Sequence, residues 1–219
     1  LAYEEAARLF REAADLLPES DREDWARLRV AEASALDDHG GIHPGLEPFR
    51  DAVAAYDAAL TVYTETAMPA QWAMTQNNRG NALRNLGARQ GGDAGLQALR
   101  DAVAAYDAGV TVYTETAMPT QWAMTQNNKG NALWTLGERQ GGAAGLESLI
   151  AAVAAFDAAL TIRTEAAVPA DWAMTKENVA IAEVLIAARS DAEEHSEALR
   201  RAFAAVESAL SVYRTGGMA

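Results

Sequence analysis

Fifty residues after it first occurs, one long stretch of this chain is written again almost unchanged. The segment DAVAAYDAALTVYTETAMPAQWAMTQNNRGNALRNLGARQGG from Asp51 returns as DAVAAYDAGVTVYTETAMPTQWAMTQNNKGNALWTLGERQGG from Asp101, and residues 51–100 match residues 101–150 at 39 of 50 positions. Residues 151–200 match 101–150 at only 20 of 50, so the repeat decays toward the C-terminal end. A fixed period of this length marks stacked supersecondary units, each burying an apolar face on its neighbour, with atypical units at the ends. Function in such a chain belongs to a surface presented by the stack rather than to a cluster of catalytic groups.

The punctuation of the repeat is regular. Pro18, Pro69, Pro119 and Pro169 each precede one of Trp25, Trp72, Trp122 and Trp172. Proline suits the first position of a helix and disfavours helix in the residue before it, so MPAQW and VPADW read as tight corners between helices. The second connection in each unit is a glycine cluster, Gly91-Gly92 or Gly141-Gly142, able to close a helix. Between corners the apolar residues Ala52, Tyr56, Ala59, Leu60 and Tyr63 fall on one helical face, and no stretch alternates as a strand would. The pattern predicts an all-α chain of about nine helices, over residues 2–17, 21–38, 47–66, 69–87, 95–116, 119–137, 145–166, 169–189 and 192–213. Alanine, the commonest apolar residue here, favours helix and lets helix axes approach closely. The expected organisation is one array across 1–219: a terminal orphan helix at 1–18, repeat units at 19–68, 69–118 and 119–168, and a divergent C-terminal capping unit at 169–219. The first helix lacks a repeat partner, and the chain opens at Leu1 without a methionine, as a piece of a longer polypeptide would.

These features resemble the tetratricopeptide repeat family. NNRGNAL (Asn77 to Leu83) and NNKGNAL (Asn127 to Leu133) look like the signature of that family's first helix. Ala52–Tyr56–Ala59, Ala102–Tyr106–Gly109 and Ala152–Phe156–Ala159 look like its second, as do Ala6, Phe10 and Ala13 followed by Pro18. The period of 50 exceeds the family's usual length of about 34, Arg79 and Lys129 stand where the family carries leucine, and KENVAIAEV in the last unit suits a cap. The resemblance implies an α-solenoid, a right-handed superhelix of stacked antiparallel helix pairs. It also implies a concave groove, lined by the first helices, that holds a peptide or partner protein.

Carried onto this sequence, the groove positions are Met74, Asn77, Asn81 and Arg84 in one unit and Met124, Asn127, Asn131 and Trp134 in the next. Asparagine is a poor helix former, at a few tenths of a kcal/mol relative to alanine, so its repetition needs a use. The amides either hold the backbone of an extended ligand or hydrogen-bond neighbouring helices, with Asn78 assigned to the second role. Arg79 and Lys129 form a candidate basic stripe for an acidic peptide or a carboxylate, the alternative being snorkelling toward Asp or Glu of the paired helix. Trp134 suits either a binding hot spot or core packing, whereas Trp72, Trp122 and Trp172 read as packing residues.

Charge narrows the partner class. With a formal net charge of −13 the chain lacks the basic face that nucleic acid requires. No apolar run approaches the length of a membrane span, no signal peptide is visible, and a cytoplasmic location is the default expectation. With no cysteine there is no disulfide, thiolate metal site or cysteine nucleophile. The segment Asp37-Asp38-His39-Gly40-Gly41-Ile42-His43 reads as a solvated turn in preference to a metal site, and no nucleophile, base and orienting group occur together. Neither catalytic residues, nor a metal, nor a cofactor is expected. The expected function is non-enzymatic binding of a peptide or protein. The alternatives are a structural spacer that forms homo-oligomers through its terminal helices, and a regulatory sensor segment of a larger signalling protein.

Overall fold

Proline sets the corners. Pro69, Pro119 and Pro169 open their helices, and Met68, Met118 and Val168 before them hold backbone angles outside the helical region. In the computed structural model, which describes residues 2–216, the helices are α1 (Ala2–Asp15), α2 (Arg22–Ile42), α3 (Glu47–Leu60), α4 (Pro69–Arg89), α5 (Gly92–Gly109), α6 (Pro119–Gln140), α7 (Gly142–Leu160), α8 (Pro169–Ala187) and α9 (Ala192–Gly216). Among the described residues no strand occurs. The chain forms two compact units, Leu1–Val112 and Tyr113–Ala219. In the first, every successive pair of helices from α1 to α5 is packed together and α2 also touches α4; in the second, the same holds from α6 to α9 and α6 touches α8. Consecutive helix pairs packed in this way are the arrangement of an all-α repeat fold.

Three helices end earlier than the sequence pattern implies. The apolar spacing carries helix as far as Thr66, Thr116 and Ala166, yet α3, α5 and α7 stop at Leu60, Gly109 and Leu160. The physical cause is one threonine in each unit, at Thr64, Thr114 and Thr164. The Thr64 hydroxyl accepts from the Ala67 N–H at 3.2 Å and the Thr64 carbonyl accepts from the Met68 N–H at 3.0 Å, closing a turn just before Pro69. Thr114 and Thr164 repeat the same bonds. β-Branched residues that offer the backbone a side-chain partner end helices readily.

The glycines act in two ways that composition does not distinguish. Gly141, at φ +67°, is both the last cap of α6 and the first cap of α7, so the link between those helices is a single residue in a left-handed conformation. The helix α2, by contrast, continues through Gly40 and Gly41 to Ile42, where the sequence pattern implies a turn. A Cβ on Gly40 would lie 2.6 Å from the Phe49 ring, so this glycine serves close packing. The carbonyls that end α2 are capped from α4: the Arg89 guanidinium donates to Gly40 O at 2.6 Å, His43 O at 2.7 Å and Gly41 O at 3.2 Å. In the second unit Arg189, just past α8, likewise donates to Glu138 O of α6 at 3.3 Å. A cation at a helix C-terminus is favoured by the helix dipole as well as by the bonds themselves.

Helix pairs inside each unit are locked by a glycine under an aromatic ring. A Cβ on Gly80 would meet Tyr106 at 2.7 Å, and one on Gly130 would meet Phe156 at 2.5 Å. At the equivalent station of the last pair the residues are Ala180 and Val206, a methyl added on one helix and a ring removed from the other. The outermost pairs add a buried carboxylate. Glu32 of α2 receives Arg11 of α1 at 2.6 Å and Arg29 at 2.6 Å, and Glu183 of α8 receives Arg201 of α9 through two bonds of 2.6 and 3.0 Å. The carboxylates are buried while Arg11 and Arg201 are half-exposed, so losing the arginine strands a buried acceptor at a cost of about 1–3 kcal/mol, and these bridges help seat α1 on α2 and α9 on α8.

One apolar run does reach membrane-spanning length, contrary to the sequence expectation. Gly142–Ile162 has a mean hydropathy of 1.6 over an 18-residue window. Leucine, isoleucine and valine supply most of that value, Glu147 and Asp157 interrupt the run, and Leu149, Ala152, Phe156 and Ala159 of this helix are buried in the second unit.

Candidate functional site

The proline-opened helices α4, α6 and α8 each carry the sequence W-A-M-T near their start, and the four residues divide cleanly by environment. Thr75, Thr125 and Thr175 are fully buried and bond to the carbonyl four residues back, at 2.7, 2.9 and 2.7 Å. Met74, Met124 and Met174, one residue earlier, are 42, 38 and 42% exposed. The tryptophan packs: Trp72 lies against a cluster containing Ala26, Ala59 and Tyr63. The buried threonines are not among the positions that the sequence singles out. Their signal is persistence, since Thr175 survives in the last unit where most of the asparagine signature is lost.

The asparagines separate in the same way. Asn77 and Asn127 are buried, at 3 and 4% exposure. Asn127 of α6 accepts from the Thr175 hydroxyl at 3.2 Å and from Asn178 at 3.5 Å, both on α8. Arg163 donates to the same hydroxyl at 3.1 Å. In this conformation the Asn127 amide joins α6 to α8, and Asn77 donates to Asn78 at 3.3 Å. The residues that share the solvent side of α4 are Met74, Asn78, Asn81 and Asn85, spaced four, three and four apart. Asn78, assigned from sequence to a structural role, is therefore on the more open side and Asn77 on the closed one.

Two of them, Asn78 and Asn81, line a cleft of about 160 Å³ together with Ser34, Asp37 and Asp38 of α2 and Tyr56 of α3. Its polar groups are held in order. The hydroxyls of Ser34 and Tyr56 are 3.0 Å apart, Asn85 donates to Asp37 at 3.0 Å, and Arg84 donates to Asn85 at 3.2 Å. Tyr106 donates to Asn81 Oδ1 at 2.8 Å, so what Asn81 offers the cleft is its N–H pair. Burial raises the Asp37 carboxyl above the ordinary aspartate range, an effect partly offset by the Asn85 bond. Burial also pushes the Tyr56 phenol up to about 12, keeping it a neutral donor. A cleft with two carboxylates beside amide and hydroxyl donors can hold the backbone of an extended segment and one cationic group.

In the second unit the corresponding positions lose their phenol, amide and guanidinium groups. Phe156 replaces Tyr106, Thr135 replaces Asn85, and Trp134 replaces Arg84. Trp134 packs against the core cluster of Leu149, Ile186, Ala187 and Ala198, and its indole N–H is buried without an acceptor. Asn131 is half-buried on α6. The two cations of the candidate stripe are engaged: Arg79 donates to Asp57 of α3 at 2.5 Å, and Lys129 also has a partner. The Arg79 guanidinium is thus directed at the paired helix.

The segment 37–42 is helical rather than a turn, with His39 and His43 stacked at 5.1 Å between ring centroids. Among the described residues no group of three or more His, Asp or Glu is placed to hold a metal ion. Compared with protein-family models and with curated proteins, the sequence gives no match.

Proposed function

We propose that the chain is a non-enzymatic helical-repeat module, akin to the tetratricopeptide repeats, that binds a peptide or partner protein on the solvent faces of its proline-opened helices, α4 in the first unit and α6 and α8 in the second. The observation that carries this reading is the recurrence of an exposed methionine, Met74, Met124 and Met174, at the same repeat station of α4, α6 and α8, between buried neighbours. Methionine on a surface is adaptable and polarizable, a frequent choice where a face must fit a partner helix or peptide. In the first unit the adjoining cleft adds amide donors at Asn78 and Asn81 and the carboxylates Asp37 and Asp38. Together with the net charge of −13, this favours a ligand segment carrying Lys or Arg. Asn127 supports the second unit as a brace between α6 and α8, Asn77 is buried behind Asn78, and in the first unit Arg84 supports the cleft through Asn85.

The test is capture of partners from cytosol by the wild-type chain and by Met74→Glu with Met124→Glu, after circular dichroism has shown equal helicity. The same partner lost with the exposed-face variant and retained by Arg79→Gln is the expected result. Capture unchanged by the methionine substitutions removes this face from consideration.

A further inference from the structure

The last helix carries a second apolar face that stays exposed in its unit, touched only where the Tyr213 hydroxyl donates to Glu177 of α8 at 3.0 Å. Ala198, Ala202, Ala205 and Ala209 of α9 are buried. About a quarter turn away, Leu199, Phe203, Val206, Leu210 and Tyr213 are all exposed, Phe203 at 64%. The internal repeat shows what such a face does elsewhere. Leu149 and Phe156 of α7, fifty residues before Leu199 and Val206, are fully buried, with Leu149 in one cluster with Ile186 of α8. The uncovered stripe borders a cleft of about 320 Å³ lined by Val206 and Leu210 of α9 and Ala180 and Ile181 of α8.

Spacing and charge name the occupant. The five exposed residues are separated by four, three, four and three positions, the apolar repeat of a coiled-coil seam. Directly beside the seam, on the side away from α8, stand Glu193, Arg200, Glu207 and Arg214, seven residues apart and alternating in sign along the exposed surface. We propose that α9 pairs with α9 of a second copy of this chain, antiparallel about a two-fold axis near residues 203–206. In that register Leu199 meets Leu210 and Phe203 meets Val206 across the seam. Each flanking charge then faces its opposite, Arg200 against Glu207 and Glu193 against Arg214, and the two-fold repeats both pairs. Arg200 leans on Glu197 within its own helix at 2.6 Å, an exposed pair that leaves the guanidinium beside the seam and within reach of a facing carboxylate. A parallel pairing has no such match, because the other flank holds His195, Ala202 and Ala209, the alanines lying buried. The Arg201–Glu183 bridge holds α9 on α8 and so presents the seam in a fixed orientation. The N-terminal helix α1 also exposes Tyr3, Leu9 and Phe10, but these fall six and one apart and build no seam of this kind. This inference concerns a different face from the methionine stations and stands independently of them.

Sedimentation velocity over a concentration series tests it, with circular dichroism as the control for folding. The wild type should dimerise, and Arg200→Glu or Glu207→Arg alone should weaken the dimer by roughly tenfold, since each sets like charges face to face twice. Mixing the two variants should restore pairing as a heterodimer, an outcome that a merely unstable helix does not give. A wild type that stays monomeric at every concentration overturns the proposal. So does a dimer indifferent to both reversals, or a mixture that fails to form heterodimers.

Discussion

Asp37 shows how a single side chain couples the candidate site to the solution. Its carboxyl is held above the ordinary value of 3.8 by burial, so the folded state binds that proton more tightly than the unfolded chain. The stabilisation from the neutral carboxyl is fully present below pH 3.8 and is lost as pH rises through the higher folded value. Asp37→Asn keeps an oxygen to accept from Asn85 and never ionises. The variant should therefore match wild type near pH 3 and become the more stable of the two toward neutrality, read from urea midpoints at each pH. The same residue marks a limit of sequence reading. Asp37 lies in a stretch rich in glycine and histidine that reads as a turn, and only its helical setting places it beside Tyr56 and Asn81. Asn77 and Asn78 are likewise indistinguishable as letters, since one step along a helix rotates a side chain by about 100° and exchanges a buried face for an open one.

At the level of helices, existence and order are legible because proline and apolar spacing are local signals. Pro69, Pro119 and Pro169 open α4, α6 and α8 as their placement implies. The ends are less legible where side chains from elsewhere decide them. Nothing near Gly40 in the chain announces that Arg89, 49 residues on, will cap α2 and carry it through two glycines. Arg89→Met keeps an unbranched stem but removes the donors, leaving the Gly40, Gly41 and His43 carbonyls without that partner. Because the site is largely exposed, the expected cost is about 1–2 kcal/mol, measured as a shift of the denaturation midpoint against Arg189→Met, where only one carbonyl of another helix is bonded.

For the whole chain, periodicity is the strongest signal, and it identifies the class of fold before any residue is placed. What periodicity cannot convey is which copy of a repeated surface remains uncovered, because α7 and α9 share a pattern and differ in what lies over them. The glycine-under-ring lock carries a consequence of the same kind. Gly80 fits Tyr106 and Gly130 fits Phe156, and the segments around them are similar, so the glycine of α4 leaves room for the ring of α7 as well, short of the Tyr106–Asn81 hydrogen bond. A collapsing chain therefore faces a choice between register isomers that skip fifty residues and satisfy each interface while stranding the helices between. Gly130→Ala with Phe156→Val would give α6 and α7 the residue types that stand at 180 and 206, and the methyl at position 130 would then exclude the Tyr106 ring from α6. Stopped-flow refolding of that variant should lose a slow phase that the wild type shows, the mark of a molecule whose symmetry is an obstacle on the way to its own structure.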